Sequence, residues 1–238
     1  MTRRTRRIAL LSCLFALALP ALAFAYVRAL PASTASYLLG AKMIRAEVAL
    51  KSGDGKLHDF RIDRGKLLKR YAGGQLLLLE RDATKATIKV APTAHVVLNG
   101  KFASLRGLRA GMQVAVSRDG DLPADAVYAG TKATPPLPKA TVQYLLGGRM
   151  VRVEIALLSA DAVLHDFLVD RGKIRQVGAY ALTLHEADGT SVPLTASGTV
   201  RVKLNGKTAS FAQLRKGMTA TVMRDGDKPA YQIWATGK

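Results

Sequence analysis

The chain repeats itself, and that repetition limits its possible folds more than any other feature. Tyr37-Leu-Leu-Gly40 returns as Tyr144-Leu-Leu-Gly147. Leu57-His-Asp-Phe60 and Asp63-Arg-Gly-Lys66 return as Leu164-His-Asp-Phe167 and Asp170-Arg-Gly-Lys173. Asn99-Gly-Lys101, Gly111-Met112 and Arg118-Asp-Gly-Asp121 return as Asn205-Gly-Lys207, Gly217-Met218 and Arg224-Asp-Gly-Asp227. About half the positions match over about 95 residues, which reads as a duplicated unit. The expected organisation is a first repeat over 36–130, a linker over 131–141 and a second repeat over 142–238. Pro135-Pro-Leu-Pro138 makes that linker extended and semi-rigid. It leaves open whether the repeats are separate beads or a docked pair.

The first 25 residues read as a secretory signal peptide rather than as part of the fold. Arg3, Arg4, Arg6 and Arg7 form a basic start, Ile8 to Leu22 is apolar, and Ala21-Leu-Ala23 or Ala23-Phe-Ala25 offers a cleavage site. The competing reading is an uncleaved membrane anchor, because Ile8 to Val27 is long enough to cross a bilayer. A weak twin-arginine resemblance leaves the export route open. Secretion or a periplasmic location is expected. Cys13 is the one cysteine and lies in this segment, so the exported part has neither disulfide nor thiolate chemistry.

The pattern within each repeat is β. Arg45 to Leu50 alternates, Ser52-Gly-Asp-Gly55 is a turn, and Lys56 to Ile62 alternates again. His58, Phe60 and Ile62 fall on one face of that strand and Asp59, Arg61 and Asp63 on the other. Gly65 marks a bulge or a barrel bend. A hairpin is expected around Arg81-Asp-Ala83, where the second repeat has Asp188-Gly189. One helical turn is expected from Ser104 to Gly111 and again from Ser210 to Gly217. Six or seven short strands per repeat predict an all-β protein of two tandem small barrels, each with one helical turn.

From Gly65 to Tyr128 the chain resembles a bacterial secreted β-barrel domain of unknown function, the DUF5666 type, whose shape is related to oligonucleotide/oligosaccharide-binding (OB) barrels. The matching features are Gly65, the apolar strand ending in Glu80-Arg-Asp82, and Thr93 before a strand. Leu105-x-x-Leu108-x-x-Gly111-Met-x-Val114-x-Val116 and an Asp-Gly turn follow. The second repeat matches with Gly172, Leu184-His-Glu186, Thr199, Phe211-x-x-Leu214-x-x-Gly217-Met-x-Ala220-x-Val222 and Asp225-Gly226. Met112 and Met218 stand where the family usually has an acidic residue. The resemblance implies a fold and no activity.

No residue pattern specifies catalysis, a metal or a cofactor. His58-Asp59 and His165-Asp166 are adjacent on strands, so their side chains diverge and cannot share an ion; a half-buried histidine with one satisfied nitrogen is expected. Asp59 and Asp63 are four residues apart on a strand, about 13 Å, too far for paired-carboxylate chemistry. Pairing with the nearby Arg64 or Arg171 is expected instead. Arg118-Asp-Gly-Asp121 and Arg224-Asp-Gly-Asp227 lack the later ligands of a calcium loop and read as hairpin turns.

Charge is the remaining signal. Thirty-six Lys and Arg face 17 Asp and Glu, for a formal net charge of +19. Loss of the signal arginines would leave the chain strongly basic. Such a charge predicts attraction to anionic polymers or a membrane surface. The best candidates keep their charge in both repeats: Lys42 and Arg149, Arg45 and Arg152, Arg64 and Arg171, Lys66 and Lys173, Lys101 and Lys207, Arg109 and Arg215, Arg118 and Arg224. The expected function is non-enzymatic envelope binding or scaffolding, with recognition of a protein partner by a sheet edge or barrel face as the alternative.

Overall fold

The computed structural model describes residues 29–133 and 135–238; the expected signal peptide lies outside them. The chain is mostly β and its strands form one 14-stranded sheet. The first half runs α1 (Ala32–Leu38), β1 (Met43–Lys51), β2 (Leu57–Arg70), β3 (Gln75–Leu79), β4 (Lys85–Leu98), β5 (Lys101–Phe102), β6 (Gln113–Asp119) and β7 (Ala124–Gly130). The second runs α2 (Lys139–Leu145), β8 (Met150–Leu158), β9 (Leu164–Val177), β10 (Ala181–Glu186), β11 (Ser191–Leu204), β12 (Lys207–Ala209), β13 (Thr219–Asp225) and β14 (Ala230–Thr236). A single 3₁₀ turn follows β5 at Leu105–Gly107 and β12 at Phe211–Gln213, shorter than the helical turn the sequence predicts.

Strands β2, β3, β4, β7 and β6 pair in that order, and β6 pairs back onto β2 to close a five-stranded barrel. Strands β9, β10, β11, β14 and β13 pair in the same cyclic order. Alternation fills each ring. Leu67, Leu76, Leu78, Ile88, Val114 and Val127 are almost fully buried in the first, as are Ile174, Leu184, Val222 and Ile233 in the second.

The two rings are not separate beads. Strand β1 leaves β2 on its outer side and pairs antiparallel with β8, which pairs with β9. The β1–β8 register has local two-fold symmetry: Glu47 faces its own counterpart Glu154, Ala46 faces Ile155, and Val48 faces Val153. The inner face of this joint carries a third core. Val48, Leu50, Ile62, Val153, Ile155, Leu157 and Val169 pack there with Leu38, Leu39, Leu145 and Leu146 of the helical segments. Leu137 of the expected linker is buried in the same core, so that segment packs rather than spans.

The helices were not expected. Each begins after a proline, Pro31 or Pro138, and ends two residues before a glycine, Gly40 or Gly147. They cover one another's halves. Tyr37 of α1 meets Phe167 of β9 edge-on, with ring centroids 6.2 Å apart, and Tyr144 of α2 meets Phe60 of β2 at 5.8 Å.

Gly65 on β2 and Gly172 on β9 each lie against the backbone of a neighbouring strand. The backbone of β3 lies so close to Gly65 that a Cβ would stand 2.5 Å from the Leu79 oxygen, and a Cβ on Gly172 would stand 2.5 Å from the His185 oxygen. Gly198 has open space around its Cβ position. Gly65→Ala and Gly172→Ala are therefore expected to cost about 1–3 kcal/mol each in denaturant unfolding, with Gly198→Ala near neutral. Equal effects at all three would contradict the close approach.

Candidate polyanion-binding face

The charged residues repeated in both halves divide between those paired within the fold and those exposed on its surface. Arg45 reaches from β1 to the β3–β4 hairpin, with Nη1 2.5 Å from Glu80 Oε2 and 2.8 Å from Asp82 Oδ2. Arg152 does the same in the second half, with Nη2 2.6 Å from Glu186 Oε2 and also paired to Asp188. Arg118 lies 3.4 Å from Asp63, and Arg224 lies 3.5 Å from Asp170. Arg64 is 3% exposed and donates to the carbonyls of Gly40 at 2.9 Å and Leu39 at 3.1 Å. Arg171 holds the matching place on β9 and is half-buried. Burial lowers the pKa of the Arg64 guanidinium to about 10 and lowers that of Arg171.

One expectation is corrected here. Asp63 and Asp170 pair with Arg118 and Arg224 across the ladder, not with the adjacent Arg64 and Arg171, because neighbouring strand residues point to opposite faces. Arg45, Arg152, Arg118 and Arg224 pair with carboxylates and Arg64 with carbonyls, while the side chains of Arg45 and Arg152 stay 42% and 41% exposed. Lys66, Lys101, Arg109, Arg149, Lys173, Lys207 and Arg215 are exposed and Lys42 is half-buried.

His58 and His165 also serve the frame. His58 Nδ1 is 2.6 Å from Asp119 Oδ2, and His165 Nδ1 is 3.1 Å from Asp225 Oδ2. Each ring stacks on the phenylalanine two residues on. Asp119 and Asp225 close the β6–β7 and β13–β14 hairpin turns and accept from the backbone N–H of Asp59 and Asp166. No group of three His, Cys, Asp or Glu side chains converges as a metal site among the described residues. A cleft of about 410 Å³ in the second half is lined by Gln176, Thr183, Thr195, Arg224, Asp227 and Lys228, among others, and by no histidine.

The outer face of β2, β3 and β4 is different. Register aligns Lys66, Leu79 and Lys85 in one row, then Lys69, Leu77 and Thr87, then Gln75 and Lys89. All four lysines are exposed, and the rows contain no carboxylate. Lys66 and Lys85 are about 10 Å apart, two strand spacings. Lys69 Nζ lies 4.8 Å from the centre of the Tyr71 ring. Among the described residues none of the four joins an ion pair. The matching rows of the second half keep Lys173 but have Gln176, Ser191 and Thr195 at the other lysine positions. Sequence reasoning missed Lys69, Lys85 and Lys89 because it accepted only charges present in both repeats. The alternation Lys85-x-Thr87-x-Lys89 was the available signal.

No family model matches the chain, and no curated protein matches it. Among solved structures, a deletion mutant of the single-stranded DNA binding protein from Thermus aquaticus aligns at 13% identity over 81% of this chain and 89% of that one. Its TM-score is 0.14, which supports no inference about fold or ligand.

Glu80 beneath the lysine face links stability to pH. It is 4% exposed, and its Oε1 is buried without a hydrogen-bond partner. Burial first, then Asp63 and Asp82, push its carboxyl up to about 7 against the pull of Arg45. Glu186 shifts in the same direction. Between its ordinary 4.5 and about 7, Glu80 keeps a proton in the folded chain that the unfolded chain has released. Unfolding free energy should therefore fall as pH rises through that window. Glu80→Gln should flatten this fall in denaturant titrations, and an unchanged pH slope would contradict the assignment.

Proposed function

We propose that this is an exported, non-enzymatic protein of the cell envelope that binds anionic polymers through the lysine face of β2, β3 and β4. The observation that carries the reading is the set of rows formed by Lys66, Lys69, Lys85 and Lys89, with no carboxylate among them. A face of one sign on a rigid sheet attracts a polyanion over its whole length. Counterion release then makes binding steeply dependent on salt. The signal-peptide features of residues 1–25 support export. We further read the chain as two tandem OB-like barrel domains of the DUF5666 type, duplicated and then specialised, with the first unit carrying the binding face.

One observation favours recognition of a protein partner instead. Phe102 on β5 is 82% exposed, with the His95 ring 4.7 Å away edge-on. An apolar protein interface centred there would persist at high salt.

The test is binding of the protein to heparin and to polyphosphate across a salt series. Replacing Lys66, Lys69, Lys85 and Lys89 together by alanine should weaken binding at low salt at least tenfold. By the logic of counterion release, the log–log salt slope should become shallower by roughly 3. Lys173→Ala should change little. Native-like binding by the quadruple variant would refute the lysine face, and salt-insensitive binding lost with Phe102→Ala would favour the protein-partner reading.

A further inference from the structure

A groove of about 490 Å³ runs between α1 and α2, on the side of the molecule that joins the two halves. Its walls come in matched pairs from the two repeats: Leu30 with Leu137, Ala35 with Val142, and Leu39 with Leu146. Gly40 and Gly147 end the walls, and Ser36 and Gln143 supply exposed polar groups. Each helix has seven residues, so the helical part of the slot is about 10 Å long, and Leu30, Gly40, Leu137 and Gly147 extend its walls beyond the helices.

The charges around the groove have one sign. Among the described residues, Lys139 is the one charged residue in its lining, and no carboxylate lines it. The buried Arg64 guanidinium holds the carbonyls of Leu39 and Gly40, both of them wall residues. Its lowered pKa has burial as its cause, with no acidic neighbour to offset it. An apolar slot of this volume with a few placed polar groups has the general character of a small-molecule site.

We propose that this groove binds a single-chain anionic amphiphile of the fatty-acid type, with its hydrocarbon chain between the helices and its anionic head at Lys139. The apolar walls recover the free energy of removing the chain from water. The cations of Lys139 and Arg64 make an anionic head preferable to a neutral one. The site is separate from the lysine face, so either assignment can fail alone.

The test uses the full chain and the fluorescent fatty acid cis-parinaric acid as the probe. Saturable binding of one probe per chain is expected, displaced by palmitate at least five times more effectively than by hexadecanol. Lys139→Glu should abolish that preference. Ser36→Trp, at an exposed wall position that leaves the core untouched, should block the probe while circular dichroism and the unfolding midpoint stay native. Absence of saturable binding, native binding by Ser36→Trp, or equal displacement by palmitate and hexadecanol would overturn the proposal. So would a photo-crosslinker at Ser36 that joins the groove to residues 8–27 of the same chain or to a second copy, since the slot would then have another occupant.

Discussion

The antiparallel pairing of β1 with β8 is the contact on which the rest of the architecture depends. Each closed ring has satisfied its own strand edges, and a closed barrel has no need of a neighbour. Strands β1 and β8 lie outside the rings, each bonded to its own half on one side. Without each other they would expose two long edges and the apolar face that carries Val48, Leu50, Val153 and Ile155. Their pairing removes both edges and creates the core on which α1 and α2 rest. The exchange of Tyr37 and Tyr144 between halves then locks the joint from above. Sheet-edge recognition of a partner consequently has little to work with among the described residues, where β5 and β12 are edge strands of two and three residues.

The joint is not electrostatically neutral. Glu47 and Glu154 face each other on its solvent side, an unfavourable pair in an antiparallel ladder. Arg61 answers Glu47 at 3.1 Å, but Leu168 stands at the matching position, and Glu154 has its carboxyl raised by burial and by the nearby Asp166 and Glu47. The two halves therefore differ where the frame does not require identity. The same holds on the barrel face, where Lys69, Lys85 and Lys89 meet Gln176, Ser191 and Thr195.

That contrast explains what could be read from the sequence. Strands, hairpins and the barrel class were legible because alternation and turn residues are local: Asp119-Gly120 and Asp225-Gly226 do turn the chain between β6 and β7 and between β13 and β14. The diverging His58 and Asp59 followed from strand geometry alone. Three things were not legible. Each helix has seven residues, about two turns, too few for a legible 3.6-residue period, and runs into the repeated Tyr-Leu-Leu-Gly motif, although Pro31 and Pro138 marked their starts. The β1–β8 joint is a long-range pairing that no local pattern encodes. The exposed lysine rows were hidden for a physical reason. Charges kept in both halves, such as Arg45 with Glu80 and Arg152 with Glu186, are kept because each clamps a hairpin to the joint. Repetition marked these clamps together with exposed charges such as Lys66 and Lys173, and it passed over Lys69, Lys85 and Lys89, where the repeats part company.

Amide hydrogen exchange of the full chain tests the continuous sheet most directly. If β1 and β8 join the halves as described, the amides of Ala46, Val48, Val153 and Ile155 will exchange as slowly as those of Val116 and Val222 inside the rings, and through the same global opening. Exchange at β1 and β8 that is orders of magnitude faster than in the rings would show two barrels that meet only transiently, and would contradict the account.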